Sequence, residues 1–237
     1  MATSKTQSMN KRMVAVVVSA LVIVGALGVV VGRQWRSVPT PTTSARTTTT
    51  LGPAAQPAAA MWPFASTVTR FSDPVLAAQA FATAYLGFVN PIVGTFQQGD
   101  SRSGEVPVRA TPTGAVTTIL VRQLTSKNSW WVLGASCPDI TVTAPLWSER
   151  ISSPVVIQGR STAFEAVVNV EVRQDGTLAA LKTDTVMGGS MGVTGPFKKS
   201  ISFALPSSRA GALLFRTLSA KDGHVIEASV IRVTFQK

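Results

Sequence analysis

Residues 164–176 read FEAVVNVEVRQDG. Phe164, Ala166, Val168, Val170 and Val172 alternate with Glu165, Val167, Asn169, Glu171 and Arg173, a period of two that predicts a long strand with one face buried and one solvated. Asp175-Gly176 then supplies a turn. Further extended runs occupy 154–159, 177–186, 197–205, 212–219 and 224–235, punctuated by Gly-rich, Pro-Ser-Ser and Lys-Asp-Gly turns. No helical period interrupts them. Six or seven short strands in this space predict a two-sheet antiparallel sandwich over residues 151–237.

The region before it reads differently. Asp73 and Pro74 supply an N-cap and a first helical residue, and Val75, Ala78, Ala82, Tyr85 and Leu86 follow at helical spacing up to Gly87. Extended runs at 105–110, 115–124 and 129–136 come next, the last two separated by the polar tetrad Thr125-Ser126-Lys127-Asn128, which suits a hairpin. A helix followed by antiparallel strands predicts a small α+β domain over residues 67–145. Trp130 and Trp131 are consecutive in the last run. One must face the core and the other the opposite surface, either packed on the neighbouring domain or serving as a carbohydrate or partner platform.

Several residues of the C-terminal third also carry a resemblance. The order Ser153-Pro154, Gly159, Phe164-Glu165, Val168-Asn169-Val170, Asp175-Gly176, Gly195-Pro196-Phe197 and Ser219-Ala220-Lys221-Asp222-Gly223 resembles the immunoglobulin-like domain of bacterial spore germination over about residues 151–235. The resemblance implies an Ig-like sandwich, an extracytoplasmic location and an interaction role, and it supplies no catalytic residues. The Cys…Trp…Cys core of antibody domains is absent.

The N-terminal part is of another kind. Residues 13–32, MVAVVVSALVIVGALGVVVG, carry no charge and no proline, and at about 1.5 Å per residue such a run spans a hydrocarbon core of about 30 Å. It is longer than a signal-peptide core and is followed by Arg33-Gln34-Trp35-Arg36 rather than a small-residue cleavage site, so an uncleaved anchor is expected. Residues 1–12 would then be a cytoplasmic stub. The flanking charges are nearly balanced and leave orientation to the stretch that follows, residues 33–66. Pro39, Pro41, Pro53 and Pro57 with a Thr run and few charges predict a stalk, either O-glycosylated or a plain linker, which suits an extracytoplasmic spacer. Gly28 and Gly32 form a G-x-x-x-G through which two such helices would approach as a homodimer. The expected fold is therefore a single transmembrane helix, then a small α+β domain and a C-terminal all-β immunoglobulin-like sandwich.

Composition narrows the function. The net charge is +11, but five basic residues without an acid lie in 1–36 and Arg46 adds another, so about half of the excess flanks the apolar run or lies in the stalk. No nucleic-acid partner is expected. One cysteine, Cys137, and one histidine, His224, exclude an intramolecular disulfide and a Cys/His zinc site, and no metal or cofactor is expected. Cys137 ends an apolar strand-like run and is expected to be buried and inert. Asp73, Asp100, Glu105, Asp139 and Glu149 are scattered through caps and loops with no spacing that pairs an acid with a base.

One motif imitates an enzyme. Gly188-Gly189-Ser190-Met191-Gly192 matches the nucleophile elbow G-x-S-x-G, with Asp222 and His224 as further triad types. An elbow needs a helix after the serine, which Val193-Thr194-Gly195-Pro196 cannot start well, and Asp222 and His224 share one tight turn. The reading is a non-catalytic, membrane-anchored extracytoplasmic envelope protein that binds another envelope protein or a cell-wall polymer. The alternatives are a cell-wall hydrolase using Ser190 and a single-pass sensor working through a membrane partner.

Overall fold

A computed structural model describes residues 59–124 and 127–236, all within one compact unit. Helix α1, Pro74–Phe81, continues into a π-helical turn, Ala82–Leu86. The strands follow in chain order: β1 Ile92–Val93, β2 Gln97–Asp100, β3 Ser103–Arg109, β4 Thr117–Gln123, β5 Trp130–Ser136, β6 Ile140–Ala144 and β7 Glu149–Ile151. Then come β8 Val155–Ala163, β9 Val167–Gln174, β10 Ala180–Met187, β11 Gly189–Ser190, β12 Gly195–Ile201, β13 Ala210–Leu218 and β14 Val225–Phe235.

The strands form two sheets. The larger runs β1-β3-β4-β5-β14-β13-β9-β10, with β2 added on β3 and β7 on β14. The smaller has β8 at its centre between β6 and β12, with β11 at one end. Period-two alternation divides each strand of the large sheet between two cores. Val168, Val170 and Val172 of β9, Leu213 and Phe215 of β13, and Val233 and Phe235 of β14 pack against Ile140, Val155, Ile157, Phe197 and Ile201 of the small sheet. Their neighbours Ala212, Leu214, Ala228 and Val230 face the other way, into a second core with Ala77, Ala78, Phe81, Tyr85 and Leu86 of the helix and Val106, Val108, Ile119, Val121 and Val132 of β3 to β5. The result is three layers: helix, large sheet, small sheet.

Local chemistry explains the helix ends. Asp73 Oδ1 accepts from the backbone N–H groups of Val75 and Leu76 at 2.6 and 3.0 Å, and Pro74 needs no partner at the first position. Gly87, at φ 87°, takes the left-handed conformation that stops the helix. The final carbonyls are satisfied from the sheet: Arg173 Nη1 donates to Tyr85 O at 2.7 Å and Arg216 Nη1 to Leu86 O at 3.2 Å. Between these two guanidinium groups lies the Glu171 carboxylate, bound by both. Burial lowers the pKa of Arg173 and of Arg216. Arg173 also stands 4.9 Å over the Tyr85 ring, and burial raises the Tyr85 hydroxyl to about 12. Nearby, Arg232 is paired with Asp175 through both terminal nitrogens.

The expected fold needs correction in two respects. Among the described residues no helix is long and apolar enough to cross a membrane; α1 has eight residues and a rise of about 12 Å. The run 13–32, with its Gly28/Gly32 pair and the stub and most of the stalk on either side, lies outside the described residues. The second correction concerns the α+β region and the sandwich, which are not side-by-side modules. Val230 of β14 pairs with Ala135 of β5, so one sheet runs through both, and the helix of the first covers a face of the second. Isolated apolar alternation cannot announce this, because Glu171, Arg173 and Arg216 on the same side read as solvated charges.

Three local differences follow. The alternation from Phe164 to Ala166 is a 3-10 turn in which Glu165 and Ala166 have φ of 58° and 63°, and the strand begins at Val167. Its second face is not solvated, since Glu171 and Arg173 are buried beneath the helix. Ala60, Met61 and Phe64, placed in the stalk by composition, are buried, Met61 and Phe64 in the helix-side core, with the N–H of Met61 bonded to Val132 O at 2.9 Å. Both tryptophans are buried. Trp130 packs in the helix-side core against Phe96, and Trp131 on the opposite face lies under the Arg70 guanidinium at 5.0 Å.

Candidate functional site

Strand registers bring a set of turns to one pole of the sandwich. Met187 pairs with Val167, Ser190 with Ala163 and Arg216 with Asn169, so β8, β10, β11 and β13 end where β9 begins. The turn 164–166, the loop 187–195 and the β13–β14 turn 219–224 therefore lie at the same end of the strands. Gly188 N–H donates to Ala166 O at 2.9 Å, tying the first two together. Arg160 donates to Thr194 O at 3.1 Å, and the Thr162 and Thr194 hydroxyls are 2.7 Å apart.

The pole displays apolar side chains. Phe164 is 59% exposed, Met187 68%, Met191 80% and Val193 68%. Glycines let the loop fold so closely that side chains have no room. A Cβ at Gly188 would meet the Ser161 hydroxyl at 1.9 Å, and one at Gly189 would meet Val193 O at 2.0 Å. Glu165, Ala166 and Met191 all hold positive φ here, a conformation that costs L-residues about 1 to 3 kcal/mol each. Strained turns presenting exposed apolar groups are characteristic of contact surfaces rather than of cores.

The residues of the sequence motif do not assemble into a catalytic group. Ser190 lies in the short strand β11 and is followed by a turn and then β12, with no helix after it. Asp222 and His224 lie in the β13–β14 turn with Oδ2 and Nδ1 3.5 Å apart, both about half exposed, and among the described residues neither contacts Ser190. The His224 N–H at 3.1 Å, followed by the Ser219 hydroxyl, holds the Asp222 carboxyl below its ordinary range. The pair borders a shallow pocket of about 250 Å³ with Val89, Ala110 and Thr111. Among the described residues no group of three or more His, Cys, Asp or Glu is placed to hold a metal ion.

Beneath the pole is a polar cluster that the sequence did not signal. Cys137 is buried, its Sγ 3.3 Å from Ser229 Oγ, and burial pushes the thiol pKa up. Glu227, 3% exposed, accepts from Thr217 Oγ1 at 3.1 Å. Burial, and after it the Asp139 charge, raises the Glu227 carboxyl above its ordinary value.

Two packed, largely antiparallel sheets with loops gathered at the ends define an immunoglobulin-like sandwich. Residues 139–224 match the family model of the immunoglobulin-like domain of bacterial spore germination, so the C-terminal part of the chain carries a domain of that kind. The match begins at 139 rather than 151, in keeping with β6 pairing with β8 inside the sandwich. No curated protein and no solved structure matches the chain.

Proposed function

We propose that this is a non-catalytic, extracytoplasmic protein of a bacterial envelope, and that it binds another envelope protein through the pole of its immunoglobulin-like sandwich. The observation that carries the reading is the cluster Phe164, Met187, Met191 and Val193, exposed together on strained, glycine-rich turns. Apolar groups held in solvent by a costly backbone are accounted for by a partner that covers them. Support for the location comes from the spore-germination type of the domain and from the Pro- and Thr-rich composition of residues 37–60. The setting of Ser190, without a helix behind it or a base beside it, supports a binding role over hydrolysis.

The test is site-specific photocrosslinking in intact cells from position 191, with position 205 on an exposed loop as reference. Crosslinks from 191 to an extracytoplasmic protein, lost when Phe164 and Val193 are changed to Ser, are expected. Recovery of cytoplasmic partners alone, or equal crosslinking from both positions, overturns the reading.

A further inference from the structure

Among the described residues, the face of β3, β4 and β5 turned away from the helix carries no second sheet, and is met only locally by Arg70 over Trp131 and by Trp147 over Gly134. Strand register orders its side chains in rows across the sheet: Gln97 of β2 opposes Glu105 of β3, Glu105 opposes Leu120 of β4, and Leu120 opposes Gly134 of β5. Gly134 has no side chain, and the Trp147 ring takes that space; a Cβ there would lie 3.0 Å from the ring. Trp147 comes from the β6–β7 connection and remains 44% exposed. One row therefore reads amide, carboxylate, aliphatic floor, indole. The adjoining row holds Ser103 and Arg122, the latter 3.6 Å from Asp100. Between them is a groove of about 400 Å³ lined by Gln97, Gln98, Glu105, Leu120, Arg122 and Leu133 among others, within the range of about 300 to 1,000 Å³ found for ligand sites.

We propose that this groove binds a segment of a neutral glycan strand. A pyranose ring has an apolar C–H face and a rim of hydroxyls, each a donor and an acceptor. Leu120 and Leu133 of the floor, with the half-exposed Trp147 indole over Gly134 at the end of the row, offer the apolar seat, and the Gln97 and Gln98 amides with the Glu105 carboxylate offer donors and acceptors at the rim. Charge selects against the other envelope polymers. Glu105 forms no ion pair among the described residues, while Arg122 is shared with Asp100, whose carboxyl the Arg102 N–H in particular holds in its charged form. The groove thus has no positive excess with which to hold a polyanion. Its outer wall, residues 97–99, is exposed, leaving the ends open to a chain. The groove shares no residue with the pole, so the two sites stand or fall separately.

The purified full chain is titrated with soluble N-acetylglucosamine oligomers and applied to peptide-free glycan strands, with oligolysine and polyglutamate in parallel. Tryptophan fluorescence and retention provide the readout. Saturable binding of the neutral glycans is expected, weakened tenfold or more by Glu105→Ala and by Trp147→Ala and partly restored by Trp147→Phe. Glu105 and Gln97 are exposed, so Glu105→Ala and Gln97→Ala decide the matter even where Trp147→Ala fails to fold. Failure to bind neutral glycans, binding indifferent to these changes, or retention of oligolysine or polyglutamate alone overturns the proposal.

Discussion

Glu171 shows how one side chain changes meaning with its surroundings. By alternation it belongs to the outer face of a sandwich strand, where a carboxylate between two basic residues would be an ordinary solvated charge. Under the helix it is buried, bound by both Arg173 and Arg216, and those arginines in turn hold the last carbonyls of the π-helical turn. Removing one member leaves the others charged without compensation in a poorly solvated place. Glu171→Ala is therefore expected to destabilise the fold by about 3 to 5 kcal/mol, measured by urea denaturation of both proteins. A loss below about 1 kcal/mol, the value of a surface pair, would show that the network is solvated.

At the scale of elements, the β13–β14 hairpin carries a titration of its own. Glu227 is clamped between Thr217 of the paired strand and the Cys137–Ser229 contact at the end of β5, and its folded carboxyl pKa lies above the unfolded value of about 4.3. The folded state thus holds its proton more tightly than the unfolded chain. This contribution to stability is complete below the unfolded pKa and is lost as pH rises through the raised folded value. Glu227→Gln keeps the shape and removes the titration. Thermal melts over a pH series are expected to fall more steeply with pH above about 4.3 in the wild type than in the variant; parallel curves would refute this. Elements were also the scale at which the sequence was most legible. Asp73, Pro74 and Gly87 announce the helix because caps are local chemistry, and β3, β4, β5, β9, β13 and β14 follow the runs of apolar alternation. The turn at 164–166 was not legible, because positive φ at Glu165 and Ala166, beside a bond from the distant Gly188 N–H, leaves no mark in residue type. Neither was the groove, whose indole and carboxylate come from segments over 40 residues apart and meet only through register.

For the whole molecule, the boundary that composition suggested between an α+β part and a sandwich is crossed by a sheet, by a helix and by buried charges. The only backbone pairing between β5 and β14 joins residues 135 and 230, a separation no local pattern encodes. An immunoglobulin-like segment cut at 139 would expose Ala212, Leu214, Ala228 and Val230 and strip the cover from Glu171, Arg173 and Arg216. Residues 139–237 alone are expected to give no cooperative melt by circular dichroism, whereas residues 59–237 give one. A sharp transition in the shorter protein would show that the sandwich is self-sufficient.

The position of β14 has a consequence for how the chain comes into being. The family match stops at 224, yet the strand that follows is the longest among the described residues and lies in the middle of the large sheet, bonded to β13, β5 and β7. This strand is thus the keystone of the fold. Without it, β5 and β13 have no neighbour to join them, and the pairings that close the sheet span long stretches of chain, which slows folding. Such a polypeptide stays open until β14 has paired, with its apolar strands exposed to aggregation meanwhile.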